Sequence, residues 1–294
     1  MDYVLDIAVG TVTMRPYVFA FLAFYLLAAV THLGWKKTFC FTAVGYLIAF
    51  LSEFSSINTG FPYGWYYYID STKTKELWVA GVPFFDSLSY VFLSYCSYTT
   101  ALLTVSPLKT ARWNLITLES RAIRRSFAVL VLASFYQVFL DIIIDPVALQ
   151  GRRWFLGQIY GYREAGLHFG VPLSNYVGWL VVSFLLVFAL QRIDAGVAKG
   201  VEKPKGVEKP KGVANIPFRS LLGPVLYVSV LIFNLSVTIS IGENLMALTG
   251  ILIFTLPAVI MTVLLVRRAN RYSREELAEH VRDYPYSAAG GGKK

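Results

Sequence analysis

Long apolar runs separated by short polar segments set the pattern of this chain. A helix that crosses a bilayer needs about 20 mostly apolar residues, and seven runs come near or reach that length: 16–33, 39–57, 82–105, 125–146, 173–191, 221–241 and 245–266. The predicted fold is all-α, a polytopic membrane protein of about seven transmembrane helices. The first run is followed by Thr31, His32, Trp35 and a Lys pair rather than a small-residue cleavage site, so it reads as a mature helix and not a secretory signal. Residues 1–192 hold the first five runs and 221–266 the last two. Between them, 193–220 is a Lys- and Pro-rich linker in which VEKPKG occurs twice in tandem (201–212). A basic tail, 267–294, carries a short helical stretch at 273–283.

Composition strengthens this picture. The chain is 56% hydrophobic and only 15% charged, against roughly 25% charged in soluble domains. The segments after the first, third, fifth and seventh runs carry 20 of the 27 Lys and Arg, Arg125 opens the fourth run, and the alternate segments carry six. Basic segments resist translocation, so the amino terminus is expected outside and the carboxyl terminus in the cytoplasm of a multi-pass cell-membrane protein. The net charge of +9 is then topogenic, with some attraction to anionic lipid, and no nucleic acid is expected as a partner. Cys40 and Cys96 lie inside apolar runs, and His32, His168 and His280 are far apart, so no metal site is expected.

The chain also repeats itself. Gly-Val-Pro occurs at 81–83 and at 170–172, 89 residues apart, and the same offset carries Trp65 onto Trp154, Asp86 onto Asn175 and Tyr90 onto Trp179. Each copy is a helix, an aromatic outer loop, a Gly-Val-Pro turn and a second helix. The second and third helices and the fourth and fifth would thus form an internal parallel repeat about an axis near the membrane normal, placing equivalent residues at equal depth. Glu53 stands 30 residues before Pro83, and Asp141 stands 31 before Pro172, so the acidic match slips by one position.

Carboxyl groups in or near a bilayer are costly and usually face a bundle interior. Glu53, Asp141 and Asp145 are expected near the outer ends of their helices, with Asp86 and Asn175 one turn into theirs. Asp141 and Asp145, four apart, share a helix face; the competing role is as wet interfacial groups paired with Arg152, Arg153 or Arg163. The loop GFPYGWYYYID (60–70) is too aromatic for a solvated connector. It is either an interfacial belt or a lid whose rings line a channel for a long apolar ligand and stabilise cations through their faces.

These segments carry a family resemblance. Glu53 followed by GFPYGWYYY (60–68), GVPFFDSLSY (81–90), DIIIDP (141–146), Trp154 and GVPLSNYVGW (170–179) resemble the membrane carotenoid-biosynthesis proteins that include the carotenoid 1′,2′-hydratases and bisanhydrobacterioruberin hydratase. The likeness spans roughly 45–190; Tyr90, where that family more often has Trp, and the VEKPKG linker depart from it. It implies addition of water to the terminal (1,2-type) double bond of an acyclic carotenoid, giving a tertiary alcohol without a cofactor. Membrane lipid and other carotenoid-biosynthesis enzymes are the expected neighbours.

Such chemistry requires a carboxylic acid to protonate the alkene, a carboxylate to take a proton from water, and aromatic faces around the cation. Glu53 and Asp141 are the expected acid–base pair, with Asp86, Asp145 and Asn175 completing the catalytic set. Tyr63, Trp65, Tyr66, Tyr68, Tyr90, Trp154 and Trp179 are the expected substrate-binding residues. A cyclase or isomerase quenching the same cation internally, or a carotenoid- or lipid-binding protein without catalysis, are the alternatives. A prenyltransferase would call for a second Asp-rich motif in the apolar runs to hold magnesium, and a retinal protein for a lysine in the seventh run; the runs hold neither.

Overall fold

A computed structural model describes residues 2–111, 114–155, 157–196 and 218–283. Seven helices in it are long and apolar enough to cross a membrane: α2 (Pro16–Leu33), α3 (Trp35–Thr59), α4 (Phe84–Val105), α6 (Phe127–Leu149), α7 (Leu173–Gly196), α8 (Leu222–Ser240) and α9 (Asn244–Arg268). The protein is a multi-pass membrane protein of the all-α class. α1 (Asp2–Met14), the single turn α5 (Arg121–Arg124) and α10 (Arg274–Asp283) complete the helices of the described residues. Three two-stranded sheets pair β1 (Tyr66–Tyr68) with β6 (Tyr160–Tyr162), β2 (Trp78–Val79) with β3 (Val82–Pro83), and β4 (Leu108–Ala111) with β5 (Asn114–Thr117).

The least apolar of the seven spans is the central one. α4 is buried along almost its whole length, while α9, the most apolar, is the least buried. This is the inverse of a soluble core: lipid accepts Leu252, Leu256, Val259 and Ile260 on the outside of α9, whereas an interior surrounded by helices tolerates small polar side chains that satisfy themselves. Thr99, Thr100 and Thr104 of α4 each return a hydroxyl bond to the carbonyl four residues earlier, at 3.1, 2.8 and 2.8 Å. Helices α2, α3, α6, α7 and α8 pack around α4.

The two Gly-Val-Pro segments fold alike. Ala80 and Gly81 have φ of 45° and 83°, and Phe169 and Gly170 have 51° and 91°. Two successive positive-φ residues close a tight hairpin turn, which is why a glycine occupies the second place in both. Pro83 and Pro172 then lead into α4 and α7, whose first residues, Phe84 and Leu173, are again 89 apart. β1 and β6, one from each copy, pair antiparallel with Tyr66 opposite Tyr162 and Tyr68 opposite Tyr160.

At the opposite end of the bundle, Arg124 is buried between Glu119 at 3.0 Å and Asp194 at 2.9 Å, and Lys37 holds Asp194 from the other side at 2.7 Å. α10 docks on the same segment, where the Asp283 carboxylate accepts from the Arg121 amide at 2.9 Å.

Several boundaries differ from expectation. α6 continues through Pro146 to Leu149 instead of stopping at 146, because a proline removes one helical hydrogen bond without ending a helix that neighbours hold in place. α1 and the β4–β5 hairpin do not show in the pattern of apolar runs, because the first is too short for a span and the second lies in a basic segment between spans. The VEKPKG linker and the end of the tail lie outside the described residues.

Candidate active site

A cavity of about 130 Å³ sits inside the β1–β6 end of the bundle. One ordered water needs roughly 10–15 Å³ on this measure, so there is room for a small branched hydrocarbon end and a water beside it. Its wall comes from both halves of the repeat, with α2 and α8 closing the side between them: Val18 and Phe21 from α2, Val230 and Asn234 from α8.

Three carboxyl groups reach this wall: Glu53 from α3, Asp86 from the first turn of α4 and Asp145 from α6. Glu53 is 3% exposed; the Tyr68 hydroxyl donates to its Oε1 at 2.7 Å and Ser87 to its Oε2. Asp145 accepts from Tyr160 at 2.8 Å, from Tyr162 at 2.7 Å and from the Asn175 amide at 2.6 Å. Each of the two acids therefore accepts from tyrosine of its own half's strand, Glu53 from one hydroxyl and Asp145 from two.

Asp141 is placed differently from the expectation that paired it with Glu53. It is fully buried but absent from the cavity wall, one helical turn behind Asp145, where it accepts from the same Asn175 amide at 2.9 Å. Its other oxygen, Oδ1, has no hydrogen-bond partner among the described residues. Asp145 takes the position that faces the cavity. Neither acid is paired with Arg152, Arg153 or Arg163; Arg153 instead meets Glu243.

The aromatic residues divide by strand alternation. Successive side chains of a strand point to opposite faces, so Tyr66 and Tyr68 enter the cavity wall while Trp65 and Tyr67 are exposed. The Trp65 ring lies under the Arg163 guanidinium at 4.2 Å, outside the cavity. Trp154 is in the wall, its indole N–H donating to the Val147 carbonyl at 3.1 Å. The match of Trp65 to Trp154 at an offset of 89 therefore does not carry a shared role. The strands that do correspond, 66–68 and 160–162, are 94 apart, so the second loop has five fewer residues between its strand and the Gly-Val-Pro turn. Tyr90 and Trp179, which share the repeat register, stack face to face with centroids 4.3 Å apart and an interplanar angle of 2°. Tyr63 packs beside both rings, at 6.2 and 6.1 Å.

Burial, reinforced by the carboxyl beside each of them, pushes the Tyr68, Tyr160 and Tyr162 hydroxyls well above the ordinary phenol range. They stay protonated and act as donors, preorganising the acids they contact.

Sequence reasoning did not single out Arg15, Glu76, Ser87, Tyr160 or Tyr162. The Tyr-x-Tyr pattern at 160–162 repeats that at 66–68 and is visible once the offset is allowed to shift by five. Arg15, the only basic residue before the first run, gives no local signal beyond its charge.

A family model described as carotenoid biosynthesis protein matches residues 7–257. The chain belongs to the carotenoid biosynthesis protein family. The matched stretch includes the whole cavity wall of this family member, from Arg15 to Asn234. No curated protein and no solved structure matches the chain.

Proposed function

We propose that this carotenoid biosynthesis protein is a hydro-lyase that adds water to the terminal double bond of an acyclic carotenoid. The observation that carries the reading is the meeting of carboxyls from both repeat halves, Glu53, Asp86 and Asp145, on one buried wall otherwise built of aromatic and aliphatic side chains. A purely binding pocket for a hydrocarbon gains nothing from three desolvated carboxyls, whereas protonation and hydration of an alkene uses them.

In the proposed reaction Glu53 acts as the acid, because hydroxyls alone hold its two oxygens. Its proton bonds to the less substituted carbon of the terminal double bond, and the positive charge develops on the tertiary carbon. Tyr90, Trp179 and Tyr63 offer ring faces to that charge. A water oxygen bonds to the tertiary carbon and loses one proton to a wall carboxylate, leaving the tertiary alcohol. Asp145, fixed by three donors, supplies negative charge across the cavity from the acid. The polyene leaves the cavity along α2 and α8, whose Val18, Phe21 and Val230 are apolar. In this reading the β1–β6 end faces outside and α10 lies in the cytoplasm, as the distribution of Lys and Arg favours.

The test is expression in a bacterium that accumulates lycopene, with the pigments separated by chromatography and weighed by mass spectrometry. The expected product is heavier than its precursor by one water per reacted end. Glu53→Gln and Asp145→Asn should each remove it. An isomer of unchanged mass would replace hydration by cyclisation or isomerisation, and bound but unchanged pigment would favour the binding reading.

A further inference from the structure

We infer that Arg15 is a positioning residue that holds Asp86 as the carboxylate taking the proton from the attacking water. The inference rests on the hydration reading and assigns within it the base that the wall alone leaves open between Asp86 and Asp145.

Arg15 stands immediately before α2 and is only 2% exposed, yet it forms part of the cavity wall. Its guanidinium lies between two carboxylates. Nε and Nη2 face Glu76 at 2.7 and 3.0 Å, and Nη1 donates to Asp86 Oδ1. Of the three carboxyls in the wall, Asp86 alone has an ion pair among the described residues; Glu53 and Asp145 are held by uncharged donors. Asp86 Oδ2 is buried and accepts no hydrogen bond from the described residues, which leaves it as the acceptor for water.

The cluster has one more carboxylate than cation. A buried guanidinium costs several kcal/mol in lost hydration, and a purely structural pin needs one partner to offset that. Glu76, itself 1% exposed, accepts a hydrogen bond from Nη2, lies against Nε as an ion pair and supplies that partner. The third N–H is thereby aimed at Asp86, and the excess negative charge sits where Asp86 faces the cavity. Glu76 is fixed in turn by the segment around it: the Leu77 amide donates to Thr11 Oγ1 of α1 at 3.2 Å. A helix that does not span the membrane and the loop before β2 thus bring a cation to the site.

In the step, the water oxygen forms its bond to the tertiary carbon as its O–H electron pair returns to oxygen and the proton passes to Asp86 Oδ2. The cycle closes when that proton is transferred to Glu53, which lost its own to the alkene. Arg15 touches neither the substrate nor the water in this assignment; it acts through Asp86.

The test uses the full chain in lipid vesicles loaded with lycopene, scored by the rate of alcohol formation. Arg15→Gln should lower kcat about 100-fold, the lower range of general-base contributions, with KM changed less than about three-fold. Arg15→Lys should recover at least about ten-fold of that loss, since it keeps the charge without the fork. In an Asp86→Asn background both substitutions should cost less than about three-fold, because the group through which they act is gone. Should Arg15→Gln fail to fold, Arg15→Lys measured with and without Asp86→Asn reads the same coupling. Wild-type rates in Arg15→Gln, or equal losses in both backgrounds, overturn the role of Arg15 alone. A wild type that yields no alcohol overturns the hydration reading on which it rests.

Discussion

Replacing Tyr68 by Phe isolates one hydroxyl at the proposed acid. The ring keeps its edge contacts with Tyr66, at 5.4 Å between centroids, and with Trp78, at 5.8 Å, so little packing changes. What is lost is the 2.7 Å bond to Glu53 Oε1. A hydrogen bond to an uncharged acceptor contributes about 0.5–1.5 kcal/mol and one to a charged acceptor about 1.5–3 kcal/mol. Only the difference between them accelerates the chemical step, because the bond is present before and after Glu53 releases its proton. That difference is about 1–2 kcal/mol, or roughly a 5- to 30-fold fall in kcat at unchanged KM. Initial rates of alcohol formation in vesicles measure it. Tyr67→Phe, on the exposed face of the same strand, should stay within about two-fold of wild type on the same alternation argument. Equal losses in the two variants, or no loss in Tyr68→Phe, would mean that this hydroxyl does not assist proton release from Glu53.

Three further outcomes follow from the geometry. Asp145→Asn should abolish product formation while Asp141→Asn leaves a measurable rate, since only the former reaches the cavity wall; pigment analysis of the two variants gives the ranking directly. Gly178→Ala should lower the melting temperature and slow turnover, at a cost of about 1–3 kcal/mol for overpacking, because its added carbon would meet the Pro62 carbonyl oxygen at 2.6 Å and the Tyr63 ring at 2.7 Å. At the other end, burial pushes the Glu119 carboxyl up, but His32, Arg124 and His280 outweigh it and bring it down from 4.5 to about 2. A depressed carboxyl contributes stability that is present above the unfolded value and lost as pH falls from about 4.5 towards 2. The gap is worth about 3 kcal/mol, so the melting temperature of Glu119→Gln should depend less steeply on pH in that window than that of the wild type, and parallel curves would refute the pairing.

The seven spans were legible because a bilayer imposes a single requirement, a long enough apolar run, and the sequence meets it directly. The site was legible only in part, for a different reason. Asp86, Asn175, Tyr90 and Trp179 lie after the Gly-Val-Pro turns, where both copies keep the same length, so counting residues locates them correctly. Trp65 and Trp154 lie before the turns, in loops of unequal length, and there counting by 89 joins an exposed ring to a cavity ring. The choice between Asp141 and Asp145 is instead one of depth: both lie on one face of α6, and their level relative to β6 decides which meets the cavity. Arg15 was hidden because a lone cation beside a span carries no local pattern; its partners Glu76 and Asp86 follow 61 and 71 residues later.

The duplicated architecture also explains how a membrane interior keeps several carboxyls in one place. In a single unit, a carboxyl at the end of a helix can turn towards headgroups and water. When two such units face each other, the pairing of β1 with β6 places the tyrosine strand of each half beside that of the other, over the carboxyls. Glu53 and Asp145 then exchange hydration for tyrosine hydroxyls, and Asp86 exchanges it for Arg15. The copies differ where chemistry asks for difference: Asp86 in one half is Asn175 in the other, a change from a charged acceptor to an amide that donates to Asp141 and Asp145. A perfectly symmetric site would present two like pairs of acids to the same bond. In the proposed hydration, this asymmetry leaves one half to hold negative charge with neutral donors and the other to bring the acid and the ion-paired carboxylate to opposite ends of the water-addition step.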